Sequence, residues 1–104
     1  MEYLIRSSTS QIDRLEIDEI LARYHNIKGT RNADNGKIQE ALREFNKAIQ
    51  IFPNYSPAFF NRGTIKADLG DFEGAKADFD KARDLDVKSI PILGKKFSER
   101  YTMF

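Results

Sequence analysis

Two octets decide how this chain folds: Gly29-Thr30-Arg31-Asn32-Ala33-Asp34-Asn35-Gly36 and, 34 residues later, Gly63-Thr64-Ile65-Lys66-Ala67-Asp68-Leu69-Gly70. They share Gly, Thr, Ala, Asp and Gly in register. The same shift superposes Ala41 on Ala75, Phe45 on Phe79, Lys47 on Lys81 and Ala48 on Ala82. Nine identities result, where ordinary residue usage gives about two by chance. Small and aromatic residues that keep register in this way mark a duplication. A repeated unit of this length buries its apolar face only against its neighbours.

Each unit reads as two helices around a tight turn. In the second, residues 58–69 are expected to form one helix, Gly70-Asp71 the turn and residues 72–85 the other. Gly36 and Gly70 stand where a helix ends in the left-handed conformation. Asp71 can then cap the next helix, its carboxylate accepting free amide hydrogens. Phe72, Ala75, Phe79 and Ala82 fall three and four residues apart and make one apolar stripe. Ile38, Ala41, Phe45, Ala48 and Ile49 repeat that stripe in the first unit.

The period and the small–aromatic pattern resemble the tetratricopeptide repeat, a helix–turn–helix unit of 34 residues. Taking the units as 22–55 and 56–89, Phe59 stands at the family's first-helix aromatic, and Gly29 and Gly63 at the small residue where the two helices touch. Gly70, Phe72, Ala75, Phe79 and Ala82 match the turn and second-helix positions, as do Gly36, Ile38, Ala41, Phe45 and Ala48; Pro53 matches the helix-ending proline. Two positions depart: His25 replaces the first unit's aromatic, with Tyr24 beside it, and Val87 replaces the second unit's closing proline. The resemblance covers about two-thirds of the chain. It implies an all-α fold, an α-solenoid fragment of two units with a helix on each side.

The flanks complete that picture. In residues 1–21, Ser10 could cap a helix bearing Ile12, Leu15, Ile17, Ile20 and Leu21, which would run into the first repeat helix or pack on it. Residues 90–104 open at Ser89-Ile90-Pro91, a favourable helix start, and place Ile90, Leu93, Phe97 and Tyr101 on one face. That is the pattern of a capping helix over the second unit. The whole chain, 1–104, is then one domain.

Composition narrows the function. Seventeen Lys and Arg against sixteen Asp and Glu leave a net charge of +1, which gives no general pull toward nucleic acid or anionic membrane. With no cysteine, disulfides and thiolate metal sites are excluded. The N-terminus shows no secretory signal pattern, and no apolar run approaches the roughly 20 residues that span a bilayer. A cytoplasmic location is expected.

No constellation of catalytic residues emerges. His25 is the only histidine and stands where a packing aromatic is expected, which points to a helix interface. The stretch Gly29 to Lys37 superficially resembles a phosphate loop. Six residues separate its glycines where that loop has four, and Ile38 follows Lys37 where it has Ser or Thr. Asp68, Asp71, Asp78, Asp80, Asp84 and Asp86 lack the spacing of a calcium loop and read as solvated faces and caps. Asn54-Tyr55-Ser56 fits a glycosylation acceptor but reads better as the turn between units. A non-enzyme without metal or cofactor is expected.

In the tetratricopeptide family the first helices line a concave groove that grips a peptide or helix from a partner protein. The resemblance carries those positions onto Arg23, Asn26, Thr30 and Asp34 in unit one, and onto Phe60, Asn61, Thr64 and Asp68 in unit two. It implies that Asn61 bonds to a ligand's main chain, and an exposed aromatic such as Phe60 is a common hot spot. The family's carboxylate clamp for chaperone tails is not reproduced, since Asn26, Thr30 and Pro91 interrupt it. The expected function is a non-catalytic interaction module, an adaptor or scaffold. The alternatives are a self-associating structural module, because two repeats leave large end faces, and a non-catalytic regulatory subunit.

Overall fold

The computed structural model describes residues 2–89, and the side chains of residues 14–86. Four helices follow one another: α1 (Glu2–Asp34), α2 (Ile38–Ile51), α3 (Ser56–Asp68) and α4 (Phe72–Ser89). The described residues contain no strand. α1 pairs with α2 and α3 with α4, and α3 packs across both helices of the first pair. The protein is all-α, a fragment of a helical-repeat stack. The candidate capping helix, residues 90–104, lies outside the described residues.

Both hairpins turn by the same chemistry. Among the described residues, Gly36 and Gly70 have positive φ, at 78° and 87°. Their N–H groups donate to Ala33 and Ala67, each at 3.0 Å, and the next residues, Lys37 and Asp71, donate to Asn32 and Lys66, each at 2.8 Å. This pair of bonds satisfies carbonyls that the helix end leaves free, at a conformation that only glycine adopts without strain. Asp71 then caps α4, accepting from the Gly74 N–H at 3.0 Å. Lys37 stands in its place before α2 and makes no side-chain cap.

The other glycines bring the helices together. A Cβ on Gly29 would sit 2.5 Å from Cε1 of Phe45, and one on Gly63 would sit 2.9 Å from Cε1 of Phe79. The expected contact of the family's small residue is therefore present in both hairpins. Between hairpins, Ala22, Ala48 and Ala58 are fully buried and pack together, flanked by Ile49, Phe52 and Tyr55. Ala41, Phe45 and Ile65 form the second cluster, flanked by Ala33, Ile38 and Leu42. Three small side chains at one crossing let three helix backbones approach.

Three sequence expectations are corrected. Ser10 does not stand at the helix start: α1 begins at Glu2, and of the two expected arrangements the flank takes the first, running unbroken into the first repeat helix. Its 33 residues far outrun the 14 of α2, about 50 Å against about 21 Å at the α-helical rise. Four apolar residues of the flank, Leu15, Ile17, Ile20 and Leu21, are therefore exposed rather than buried against the repeats. On α4, Phe72 continues the apolar stripe but is exposed, while Ala75 and Ala82 are buried. Asp78 is no solvated acid; it is buried at 4% exposure, and Glu44, one 34-residue period earlier, at 6%.

The glycine contacts give an ordered pair of outcomes. Alanine gains about 1 kcal/mol of helix propensity over glycine, while overpacking a filled core costs about 1–3 kcal/mol. Phe45 is fully buried and cannot yield, whereas Phe79 is partly open and can. Gly29→Ala should therefore lower stability by about 1–2 kcal/mol, and Gly63→Ala by less, since the Phe79 ring can move although Asp78 Cβ, 3.1 Å from the same point, cannot. Gly63→Leu should destabilise clearly. Thermal melts of the three variants check this; equal melting temperatures for all three and the parent would show that the helices do not meet there.

Candidate binding groove

Five of the eight groove positions come together. Thr30 and Asp34 from α1 and Asn61, Thr64 and Asp68 from α3 wall a concavity of about 250 Å³, floored by Ala33, Ile38, Phe45 and Ile65. The floor joins the same Phe45 that meets Gly29, so the hairpin contact also sets the depth of the concavity. None of those floor residues was expected to line the groove; their signal was their place on the core stripe, which reads as packing.

The other three positions lie elsewhere. Asn26 is buried at 8% exposure and accepts a hydrogen bond from Asn61 Nδ2 through its Oδ1 at 2.9 Å. It ties α1 to α3 beneath the surface. Arg23 borders a separate hollow of about 550 Å³ with Phe52, Tyr55 and Pro57, where α2 passes into α3. Phe60 is exposed as expected, but its ring lies 5.4 Å from that of Phe79 and outside the concavity.

The walls of the concavity are rich in acceptors. Thr30 Oγ1 donates back to its own helix at Ile27 O, 2.8 Å away, and Thr64 Oγ1 donates to Phe60 O at 3.1 Å. Each hydroxyl so turned presents lone pairs outward. Asp34 and Asp68 have no hydrogen-bond or ion-pair partner among the described residues. Asn61 commits one amide hydrogen to Asn26, leaving the other hydrogen and the carbonyl.

Stronger electrostatics lie inside the hairpins. His25 on α1 sits 2.8 Å from Glu44 Oε2 on α2, with Lys47 and Lys28 at 3.4 and 3.8 Å from Oε1. An ionised carboxylate only accepts, so His25 Nδ1 carries the hydrogen. The single histidine is thus at the helix interface, as a polar partner rather than an apolar plug. In the second hairpin Arg62 grips Asp78 bidentately, Nε and Nη2 each at 2.8 Å, and Lys66 lies at 3.1 Å. Burial alone would push both carboxyls up. The hydrogen bonds from His25 to Glu44 and from Arg62 and Lys66 to Asp78, with the cationic charges around each, outweigh it and hold both below the usual range. Among the described residues no cluster of three His, Cys, Asp or Glu is placed to hold a metal.

Residues 56–86, which span α3 and most of α4, match the tetratricopeptide-repeat family. An uncharacterized protein of Methanocaldococcus jannaschii is 38% identical over 58 residues, 56% of this chain and 67% of the relative. The chain belongs to the tetratricopeptide-repeat family. The zebrafish protein named tetratricopeptide repeat protein 36 is 37% identical over 59 residues, 57% of this chain and 32% of its own length. A Xenopus tropicalis protein named RNA polymerase II-associated protein 3 is 37% identical over 54 residues, 52% of this chain and 8% of the relative. This tetratricopeptide-repeat chain therefore spans about a third of the zebrafish relative. Domains of the family generally mediate protein–protein interaction and are generally not enzymes. No helix among the described residues is long and apolar enough to cross a membrane.

The two buried acids make stability depend on pH with a definite sign. Each folded-state pKa is depressed, so the contribution is present above the unfolded pKa and is lost as pH falls through the folded one. Urea unfolding should show stability declining from about pH 5 downward, and a Glu44→Gln, Asp78→Asn double variant should flatten that decline while being less stable at neutral pH. His25→Phe, which restores the family's aromatic, should destabilise by about 1 kcal/mol because it removes a partner from a buried carboxylate. An unchanged pH slope in the double variant would remove the buried pairs from the account.

Proposed function

We propose that the chain is a non-catalytic adaptor that grips a segment of a partner protein in the concavity between its two repeats, units 22–55 and 56–89 of one domain. The observation that carries this reading is the convergence of Thr30, Asp34, Asn61, Thr64 and Asp68 on one concavity across the repeat junction. The walls offer oxygen acceptors and two carboxylates without partners among the described residues, over an apolar floor. The complementary ligand is a segment with exposed N–H groups, a lysine or arginine, and an apolar side chain between them. Asn61, anchored on Asn26, supports recognition of the ligand's main chain rather than of one sequence. Near-zero net charge and the absence of cysteine fit a cytoplasmic adaptor that meets neither nucleic acid nor membrane.

Selection from a displayed peptide library, using the full-length chain as bait, tests the reading directly. Selected ligands should carry basic residues. Asp34→Asn with Asp68→Asn should weaken them by about 1–2 kcal/mol, roughly five- to thirty-fold in Kd, with the helical signal and melting temperature unchanged. Glu73→Ala, on the outer turn of α4, should bind as the parent does. Ligands that bind the parent and the double Asp variant equally would place the binding surface outside the concavity.

A further inference from the structure

The two units end differently. α2 stops at Ile51, and residues 52–55 carry the chain across to α3 at Ser56. One 34-residue period after Ile51 stands Leu85, yet α4 runs on to Ser89. Pro53 lacks an amide hydrogen and holds the residue before it away from helical geometry; its counterpart Val87 does neither. The stretch that connects helices in the first unit is thus a further helical turn in the second. It delivers residue 90 about 6 Å beyond the level equivalent to the end of α2, without the connector that swings α3 across.

Ser56, the first residue of α3, donates to Asp86 in the last turn of α4. Ser56 also lines the hollow of about 550 Å³ that Glu19 and Arg23 of α1 share with Phe52 and Tyr55. The exit of α4, this hollow and the Glu19–Arg23 stretch therefore lie at one end of the repeat pair, and α1 continues past that end toward Glu2. The concavity lined by Asp34 and Asp68 is at the other end, beside the two glycine turns. Leu15 stands seven residues, about two turns, before Ala22 and so on the same side of α1. Ala22 is fully buried against Ala48 and Ala58, but α2 ends three residues after Ala48 and stops short of Leu15, which is 64% exposed. Asp18 and Glu19, three and four residues on, flank Leu15 on the helix surface and have no partner among the described residues.

Residues 90–104 carry the complement in sequence. Leu93 and Phe97 are four residues apart, and Lys96 and Arg100 follow them by three. We propose that residues 90–104 dock back on their own chain at this end, Leu93 and Phe97 entering the hollow and meeting Leu15, with Lys96 and Arg100 against Asp18 and Glu19. From α4 to α1 is two helix spacings, by way of α3, each about 8–10 Å. Phe97 follows Ser89 by eight residues, which span up to about 28 Å. The docked segment ties the projecting flank of α1 to the exit of α4 and leaves the concavity open. It departs from the cap over the second unit that the sequence suggests, because α4 lacks the connector that such a cap needs.

The chain has no cysteine, so introduced thiols report single proximities. Two double variants of the full-length chain share Ser98→Cys. The first adds Asn54→Cys, at the exposed rim of the hollow. The second adds Arg83→Cys, one period after Ile49, which packs toward α3 in the first unit and so marks where a cap would lie. Each is treated with a short bismaleimide at low concentration, and linked peptides are measured by mass spectrometry after dimers are removed. Linkage within one molecule should be several-fold greater in the first variant than in the second. Adding Asp18→Lys and Glu19→Lys to the first should lower it several-fold with the helical signal unchanged, and adding Lys96→Glu and Arg100→Glu as well should restore it. Greater linkage in the second variant would place residues 90–104 over the second unit and overturn the proposal. Equal linkage in both, linkage chiefly between molecules, or a yield that ignores the first charge reversal would overturn it too.

Discussion

The structure depends on a glycine meeting a phenylalanine ring across each hairpin. At Gly29 there is no room for even one carbon beside Phe45, so α1 and α2 lie as close as two helix backbones can with an aromatic between them. That contact fixes the spacing of the pair and its register. It also places the ring in the lining of the concavity between repeats. The turns at Gly36 and Gly70 matter because they return the chain at the right height for this contact: the same bond pattern closes both, and both bring the phenylalanine opposite the glycine.

Once the glycine and the ring are aligned, the residues just before each are aligned as well. Lys28 and Arg62 precede the glycines, and Glu44 and Asp78 precede the rings. The buried carboxylates are thus a consequence of register, opposed by cations from the facing helix in both hairpins. Such pairs add little net stability, because desolvation offsets most of the attraction. Their effect is on alternatives. A slip of α4 along α3 would separate Asp78 from its fork of two 2.8 Å bonds and leave a charge in an apolar setting, at a cost of several kcal/mol. The apolar contact sets the register, and the charges penalise departures from it.

Much of this was legible in the sequence, because a period is a strong signal. The all-α class, the two turn glycines, the contact glycines, the Asp71 cap and the placement of His25 between helices all followed from matching one unit to the other. What was missed shares a cause. An acid on an otherwise amphipathic helix looks solvated unless its partner is known, and the partner of Asp78 lies on another helix, 16 residues away. The groove floor was hidden because Phe45 and Ile65 have two neighbours, one in the core and one in the concavity, and periodicity reports only the first. The extent of α1 was misjudged because Ser10 carries a capping residue's chemistry without being at a helix end. Capping preference describes helix starts and does not create them.

On the proposed reading, Asn61 serves fold and recognition with one side chain. Its partner Asn26 is buried at 8% exposure and belongs to the junction, while Asn61 itself stands at the wall of the concavity. The bond between them removes a rotamer that a free surface amide would have to give up on binding, which commonly costs about 0.5–1.5 kcal/mol for a flexible side chain. The two threonines are treated alike, each hydroxyl tied to its own helix and so oriented before any ligand arrives. A concavity walled by pre-set acceptors loses little entropy when occupied. Asp34 and Asp68, which line the concavity with no partner among the described residues, would on the same reading supply its charge without disturbing the junction beneath.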